Sequence, residues 1–273
     1  MSNKHESILE NFPLTGNYLP RPRIDEILDR STRCKLVYVV AGVGYGKTQA
    51  VHNYLRKQEN VVIRWLQLNE SDNIGSHYWE GLTHNIAFDN PVLAANLREL
   101  GFPDTAIRFN QFAEIIRTTE HQSRKTFLVL DDFHFIRDGQ ALEFAERCAH
   151  LKIPDACVII ISRNEPEINT VSLFSKGDAC IITEDELRFT EDEIAEFLKW
   201  RDIKISINEI PKIAEVTNGW AFAIKLLSLI LRRNPDDLDR ALEATRQNIF
   251  KLLETEAFNT LPEDIQSKYK LKK

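Results

Sequence analysis

The sequence of 273 residues predicts an α/β fold, in which a parallel-sheet domain is followed by an all-α helical domain. Short continuous apolar runs recur between about residues 31 and 185, and segments with helical spacing separate them. Such runs are typical of strands that are buried on both faces of a parallel sheet. After Glu186 the periodic segments all have helical spacing, which indicates a separate helical domain.

The elements can be assigned in chain order from these patterns. Five apolar runs predict strands: residues 36–40, 61–68, 127–130, 157–161 and 179–182. Segments between the runs predict helices: residues 49–56, 78–86, 111–118 and 141–149. The remaining segments predict helices of the second domain: residues 191–200, 207–217, 220–232, 237–253 and 262–269. Alternation of strand and helix along the first part favours a parallel sheet with helices on its faces.

Composition excludes several classes of protein. The chain has 35 basic and 41 acidic side chains and a net charge of −6, which disfavours non-specific nucleic-acid binding. No window approaches the ~18 apolar residues of a membrane span. The first residues lack the apolar stretch of a signal peptide, so we expect a cytoplasmic protein that binds no membrane. The four cysteines are far apart, and we expect free thiols.

The first motif with chemical content follows the first predicted strand. Residues 41–48 read AGVGYGKT and fit the phosphate-loop pattern G-x-x-x-x-G-K-[ST], with Ala41 in place of the first glycine. Glycines let backbone N–H groups turn inward onto phosphate oxygens, and the following helix adds its positive end. We expect Lys47 to reach the β and γ phosphates and Thr48 to bind Mg²⁺. The expected nucleotide contacts are Gly42, Val43, Gly44, Tyr45, Gly46, Lys47, Thr48 and Gln49.

A pair of acids ends the third predicted strand. Asp131 and Asp132 follow the apolar run 127–130, which places two carboxylates at the carboxyl edge of the sheet, where open α/β sheets bind ligands. We assign Asp131 to Mg²⁺, directly or through water, and Asp132 to orienting or deprotonating the attacking water. Two acids that cap a strand at a solvated turn remain the alternative.

Three further sites are ambiguous from sequence. Arg163 ends the fourth apolar run at the same edge, where its guanidinium could detect a γ-phosphate, although a surface arginine is an alternative. His134 could contact the site or have a structural role. Gly219, Trp220 and Ala221 open an apolar helix, and core packing explains Trp220 as well as nucleotide contact does.

Seven motifs in this order resemble those of the large ATP-binding LuxR-type regulators, which belong to the STAND class of signal-transduction ATPases. The resemblance extends over most of the chain, and its motifs lie at residues 19–23, 44–48, 68–73, 130–134, 162–166, 187–190 and 218–221. The resemblance implies that Arg21 lies near adenine or ribose and that Arg163 acts as the sensor arginine. It also implies that Gly219, Trp220 and Ala221 close over the base.

The resemblance also implies a domain arrangement. We expect an N-terminal arm over residues 1–30, extended around its two prolines, and a P-loop NTPase domain over 31–185. A helical domain over 186–253 and the start of a truncated winged-helix domain, or a linker, over 254–273 would follow. By this resemblance the chain is a nucleotide-binding oligomerisation module that is monomeric with ADP and self-associates in the activated full-length regulator.

Three functions are open at this point. The first is a slow ATPase that works as a conformational switch with ATP or ADP and Mg²⁺. The second is a P-loop kinase for a small molecule, although no arginine-rich lid segment is visible in the sequence. The third is a nucleotide-dependent docking module without turnover, which leaves Asp132 with little to do.

Overall fold

The computed structural model describes residues 18–119, 124–151, 153–235 and 237–259. The chain divides into two compact units between Leu187 and Arg188. Among the described residues, no helix is both long enough and apolar enough to cross a membrane.

The first unit is built on a five-stranded parallel sheet. Its strands are β1 (Leu36–Val40), β2 (Val61–Gln67), β3 (Lys125–Asp131), β4 (Ala156–Ser162) and β5 (Ala179–Ile182). Their order across the sheet is β2-β3-β4-β1-β5, and all four pairings are parallel. The predicted α/β class and its five strands are therefore confirmed. Because β1 lies in the interior of the sheet between β4 and β5, the loop that follows it opens at the carboxyl edge beside the end of β4.

Helices cover both faces of this sheet. Those of the first unit are α1 (Pro22–Ser31), α2 (Lys47–Leu55), α3 (Gly75–Ala87), α4 (Pro91–Leu100), α5 (Ala106–Thr119), α6 (Gly139–Ala149), α7 (Val171–Ser175) and α8 (Glu184–Leu187). Val37 and Val39 face one apolar cluster, which includes residues of α1 and α2. Leu36 and Tyr38 face the other, which includes residues of α3 to α6. This alternation explains why the strands read as uninterrupted apolar runs.

The prediction of an extended N-terminal arm is partly wrong. Residues 22–31 form helix α1, whereas residues 1–17 of the arm lie outside the described part of the chain. Pro22 occupies the first helical turn, where a proline needs no N–H partner and its fixed φ suits the helix. Ile24 and Leu28, one turn apart, are buried against the sheet. Pro22 therefore begins a helix, whereas Pro20 lies in the irregular segment before it.

The second unit is helical in its described part, as predicted. Its helices are α9 (Glu191–Trp200), α10 (Ile210–Thr217), α11 (Ala221–Arg233) and α12 (Leu238–Asn259). Helix α12 continues past residue 253, so the expected start of a new segment at residue 254 falls inside a helix. The helix predicted over 262–269 lies outside the described residues. The core of the second unit is formed by side chains that include Ile194, Ile213, Ile224 and Leu227.

Gly219 is required by the backbone between α10 and α11. Its φ is +66°, and a Cβ at this position would lie 2.6 Å from the carbonyl oxygen of Phe189. The N–H of Phe189 in turn donates to the Gly219 carbonyl at 2.8 Å. Only glycine combines this conformation with so close an approach of two backbones.

Candidate nucleotide-binding site

The loop between β1 and α2 has the geometry of a phosphate cradle. Gly44 and Gly46 adopt positive φ angles of 78° and 79°, which glycine reaches without a steric penalty. Gly46 is the N-cap of α2, and its carbonyl accepts from the Ala50 N–H at 2.9 Å. Its cap has no side-chain acceptor, so the N–H groups of the first helical turn are available to an anion.

Lys47 is the first residue of α2, and its ammonium lies within this loop. Its Nζ donates to the carbonyl oxygens of Ala41 at 2.7 Å and Gly42 at 2.9 Å. Burial lowers the pKa of Lys47, the negative charges of Asp132 and Asp131 oppose that shift, and the positive charge of Arg163 adds to it. The structure therefore places a buried cation among the loop carbonyls, with two carboxylates and a second cation within electrostatic range.

Asp131 is the last residue of β3 and is fully buried. Its Oδ1 accepts from the Thr48 hydroxyl at 3.1 Å and from the Asp132 N–H at 3.0 Å. Burial, and then the charge of Asp132, raise the pKa of Asp131 to about 6. Its Oδ2 is buried without a hydrogen-bond partner in the described part of the chain. An unpartnered carboxylate oxygen beside a threonine hydroxyl is a donor set that suits Mg²⁺.

Asp132 has different surroundings from Asp131. Its backbone adopts φ 58°, which ends the strand, and its side chain is 37% exposed. Oδ2 accepts from the Gln67 side-chain amide at 2.6 Å, and Oδ1 lies 3.7 Å from Nδ1 of His134. The structure thus separates the two acids into a buried one and one that water can reach.

The end of β4 adds a third group to this edge. Ser162 pairs with Val40 of β1, is buried, and its Oγ has no hydrogen-bond partner among the described residues. Arg163 is exposed, and its charge acts on both Lys47 and His134. Burial, and then the charge of Arg163, lower the pKa of His134, which favours a neutral imidazole.

The other predicted contacts lie outside this cluster. Arg21 is buried in the first unit, where its carbonyl accepts from Ile24 and Asp25 at the start of α1. Gly219, Trp220 and Ala221 belong to the second unit, where Trp220 is largely buried with its ring 5.2 Å from that of Phe222. The nucleotide contacts predicted for Arg21, Gly219, Trp220 and Ala221 remain predictions.

Two residues near Asp132, one at the end of β2 and one in the loop that follows it, have contacts that no motif in the sequence indicates. The apolar run predicts only a strand at Gln67, whereas its side chain contacts Asp132 across 65 residues of chain. Asn73 accepts the N–H groups of Arg137 at 2.6 Å and Asp138 at 2.8 Å, which joins the loop after β2 to the loop after β3. The motif at 68–73 gave the position of Asn73 without its partners.

Substitution of Asp131 by asparagine tests the metal role. We expect Asp131→Asn to weaken Mg²⁺-dependent ATP binding more than metal-free ADP binding, because an amide is a poorer ligand for Mg²⁺ than a carboxylate. Calorimetric titrations with and without Mg²⁺ measure this difference, and equal effects on both would argue against a metal role.

The thermal stability of the same variant is expected to depend on pH in a way that shows whether it is folded. The raised pKa of Asp131 means that ionisation opposes folding of the metal-free protein as the pH rises through about 4 to about 6. Asparagine removes this penalty, so the melting temperature of Asp131→Asn relative to wild type is expected to be higher at neutral pH than in mild acid.

Comparisons with known proteins support the resemblance seen in the motifs. No protein-family model matches the sequence. The HTH-type transcriptional regulator MalT of Vibrio parahaemolyticus is 26% identical over 258 residues, which cover 90% of this chain and 28% of the regulator. The serine/threonine-protein kinase PknK of Mycobacterium tuberculosis is 25% identical over 264 residues, which cover 92% of this chain and 23% of the kinase. The chain thus spans about a quarter of the length of these relatives.

Solved structures agree on the architecture. The Walker-type ATPase of Pyrococcus abyssi has a TM-score of 0.59 at 14% identity, covering 92% of this chain and 76% of its own. A STAND protein with a tetratricopeptide-repeat sensor from Pyrococcus horikoshii has a TM-score of 0.54 at 15% identity, covering 79% and 30%. The fold is that of a P-loop ATPase. The predicted fold class is confirmed, and so is the likeness to the MalT-type regulators.

Proposed function

We propose that this chain is an ATP- and ADP-binding switch module of a transcriptional regulator, which hydrolyses ATP slowly to control conformation and self-association. The observation that carries the proposal is the contact between the phosphate loop and a buried carboxylate. Lys47 bonds the loop carbonyls, and the hydroxyl of the next residue, Thr48, donates to Asp131. The likeness of nine-tenths of the chain to MalT-type regulators supports the regulatory assignment. In this proposal the first unit binds the phosphates and Mg²⁺.

The roles follow from the surroundings of each side chain. The loop N–H groups and Lys47 bind the phosphates, and Thr48 and Asp131 hold Mg²⁺, which when bound neutralises charge on the phosphate oxygens. Asp132 is exposed enough to meet water, and its carboxylate accepts the proton of the attacking molecule. Arg163 detects the γ-phosphate by a charge-assisted hydrogen bond. Arg21, Gly219, Trp220 and Ala221 are proposed contacts of the base and ribose.

The resting state follows from ligand linkage. A nucleotide stabilises whichever conformation binds it more tightly, by its differential affinity for the two states. We propose that ADP holds the resting, monomeric form and that the nucleotide module contacts neither membrane nor nucleic acid. Self-association then requires a signal in addition to ATP.

Analysis of the untreated protein tests this proposal. We expect light scattering to report a monomer. Denaturing the protein should release about one ADP per chain, which chromatography of the supernatant identifies. Exchange against labelled nucleotide is expected to be slow. An empty site with fast exchange, or oligomers formed with ATP alone, would overturn this account of the switch.

A further inference from the structure

Gln67 lies beside the hydrolytic carboxylate, and the proposed function leaves it without a role. We propose that Gln67 is a positioning residue, which orients the Asp132 carboxylate toward the attacking water; this rests on the hydrolytic function proposed above. The distance from its Nε2 to Oδ2 of Asp132 is 2.6 Å. That bond is short, and its donor is the last residue of a strand, which is a rigid element.

The sheet register brings these two residues together. Strands β2 and β3 are parallel neighbours, and Gln67 is paired with Asp131 at the end of the ladder. The N–H of Leu68 then donates to the Asp131 carbonyl at 2.9 Å, which extends the pairing by one step. Gln67 therefore stands beside the turn that carries Asp132, and its position is fixed by backbone bonds.

Other bonds fix the backbone around Asp132 without help from the Gln67 side chain. Asn73 accepts two N–H groups from the segment after β3, and the Leu68–Asp131 bond holds the strand ends together. Loss of the Gln67 amide would leave these bonds in place. The Gln67 side chain consequently acts on the rotation of the Asp132 carboxylate, while the course of the chain is determined elsewhere.

A carboxylate base gains from such a restraint. The Asp132 side chain is 37% exposed, so little packing limits its rotation. A donor on Oδ2 leaves Oδ1 to accept from water, with the His134 ring 3.7 Å away on that side. The amide of Gln67 is not a base at neutral pH, so it orients the carboxylate without competing for the proton. Fixing a base in its productive geometry lowers the entropic part of the barrier.

The test is the variant Gln67→Met, which keeps the length of the side chain and removes the N–H donor. We expect kcat for ATP hydrolysis to fall about 10- to 100-fold, the range that misplacement of a reacting group produces. The KM for ATP and the calorimetric affinity for ADP are expected to stay within about twofold of wild type, because Gln67 does not bind the phosphates. Gln67→Asn retains an amide donor and is expected to keep more of the rate.

Two comparisons separate positioning from a structural effect. In an Asp132→Asn background, Gln67→Met is expected to cause no further loss, because the base it orients is absent. Gln247→Met is the matched control, since Gln247 also donates its amide to a carboxylate, that of Glu243 at 3.1 Å, on the surface of α12. It should leave kcat unchanged.

Several results would overturn the proposal: a wild-type rate in Gln67→Met, an equal loss in both backgrounds, or a loss confined to KM. A lowered melting temperature in Gln67→Met together with an equal loss in Gln67→Asn would also contradict it. Wild-type protein that binds ATP without hydrolysing it would contradict the hydrolytic function itself, and that outcome is visible before any variant is made.

Discussion

Replacement of Lys47 by alanine is expected to weaken the binding of ATP by about 10²- to 10⁴-fold and that of ADP by about 10- to 10²-fold. Hydrogen bonds to charged groups contribute about 1.5–3 kcal/mol each, and we expect the ammonium to bond both the β and γ phosphates of ATP but only the β phosphate of ADP. Calorimetric titration with ADP gives the clearest measurement, since no hydrolysis occurs. Unchanged affinity for ADP would contradict the assignment of the phosphate loop.

The surroundings of Lys47 decide how this result is interpreted. Its Nζ also donates to the carbonyls of Ala41 and Gly42, so the loop loses two internal bonds when the side chain is removed. The melting temperature must therefore be measured beside the affinity. Lys47→Met fills more of the buried volume than alanine and separates loss of charge from loss of packing. Lys57→Ala is a control, because Lys57 is an exposed lysine that pairs with Asp25 at 2.6 Å.

The sheet was predictable from sequence because its strands are buried on both faces. Leu36 to Val39 all lose their contact with water, two toward each apolar cluster, so the sequence shows a continuous apolar run. A strand with one solvated face would have alternated instead. The glycine-rich loop after such a run then marks the edge of the sheet where a ligand site is expected.

Two helices differ from the sequence prediction because the residues at their starts are also common in extended segments and turns. Pro22 fits both an extended segment and the first turn of a helix, and burial of Ile24 and Leu28 decides for the helix. Helix α4 was missed, although Asn90 caps it by accepting from the Leu93 N–H and Pro91 follows the cap. Local propensity is a weak prior when tertiary packing makes the choice.

In the candidate site, too, some residues could be predicted from sequence and others could not. Lys47, Thr48, Asp131 and Asp132 could be found because each lies in a short motif. The Gln67–Asp132 bond could not, because it joins residues 65 apart whose proximity depends on the pairing of β2 with β3. A sequence motif locates the groups proposed to bind the ligand, whereas the proposed positioning residue reaches them through strand order and register, which no motif records.

Substitution of Asp132 by asparagine is expected to slow ATP hydrolysis by about 10²- to 10⁴-fold, the usual contribution of a general base. The amide cannot accept the proton of the attacking water. Nucleotide binding is expected to be spared, because Asp132 is not among the groups assigned to the phosphates or to Mg²⁺. Single-turnover hydrolysis, measured beside calorimetric affinity for ATP, separates these two effects.

The structure makes asparagine a well-matched replacement at this position. Asn tolerates the left-handed backbone at φ 58° at least as well as Asp, and its carbonyl oxygen can still accept from the Gln67 amide. Asp138→Asn is a control in the same loop, because an asparagine there can still accept the Ala141 N–H that begins α6. It should hydrolyse ATP at the wild-type rate. If Asp132→Asn did so as well, the Asp132 carboxylate would serve only to join the ends of β2 and β3, and the module would bind nucleotide without using that carboxylate for hydrolysis.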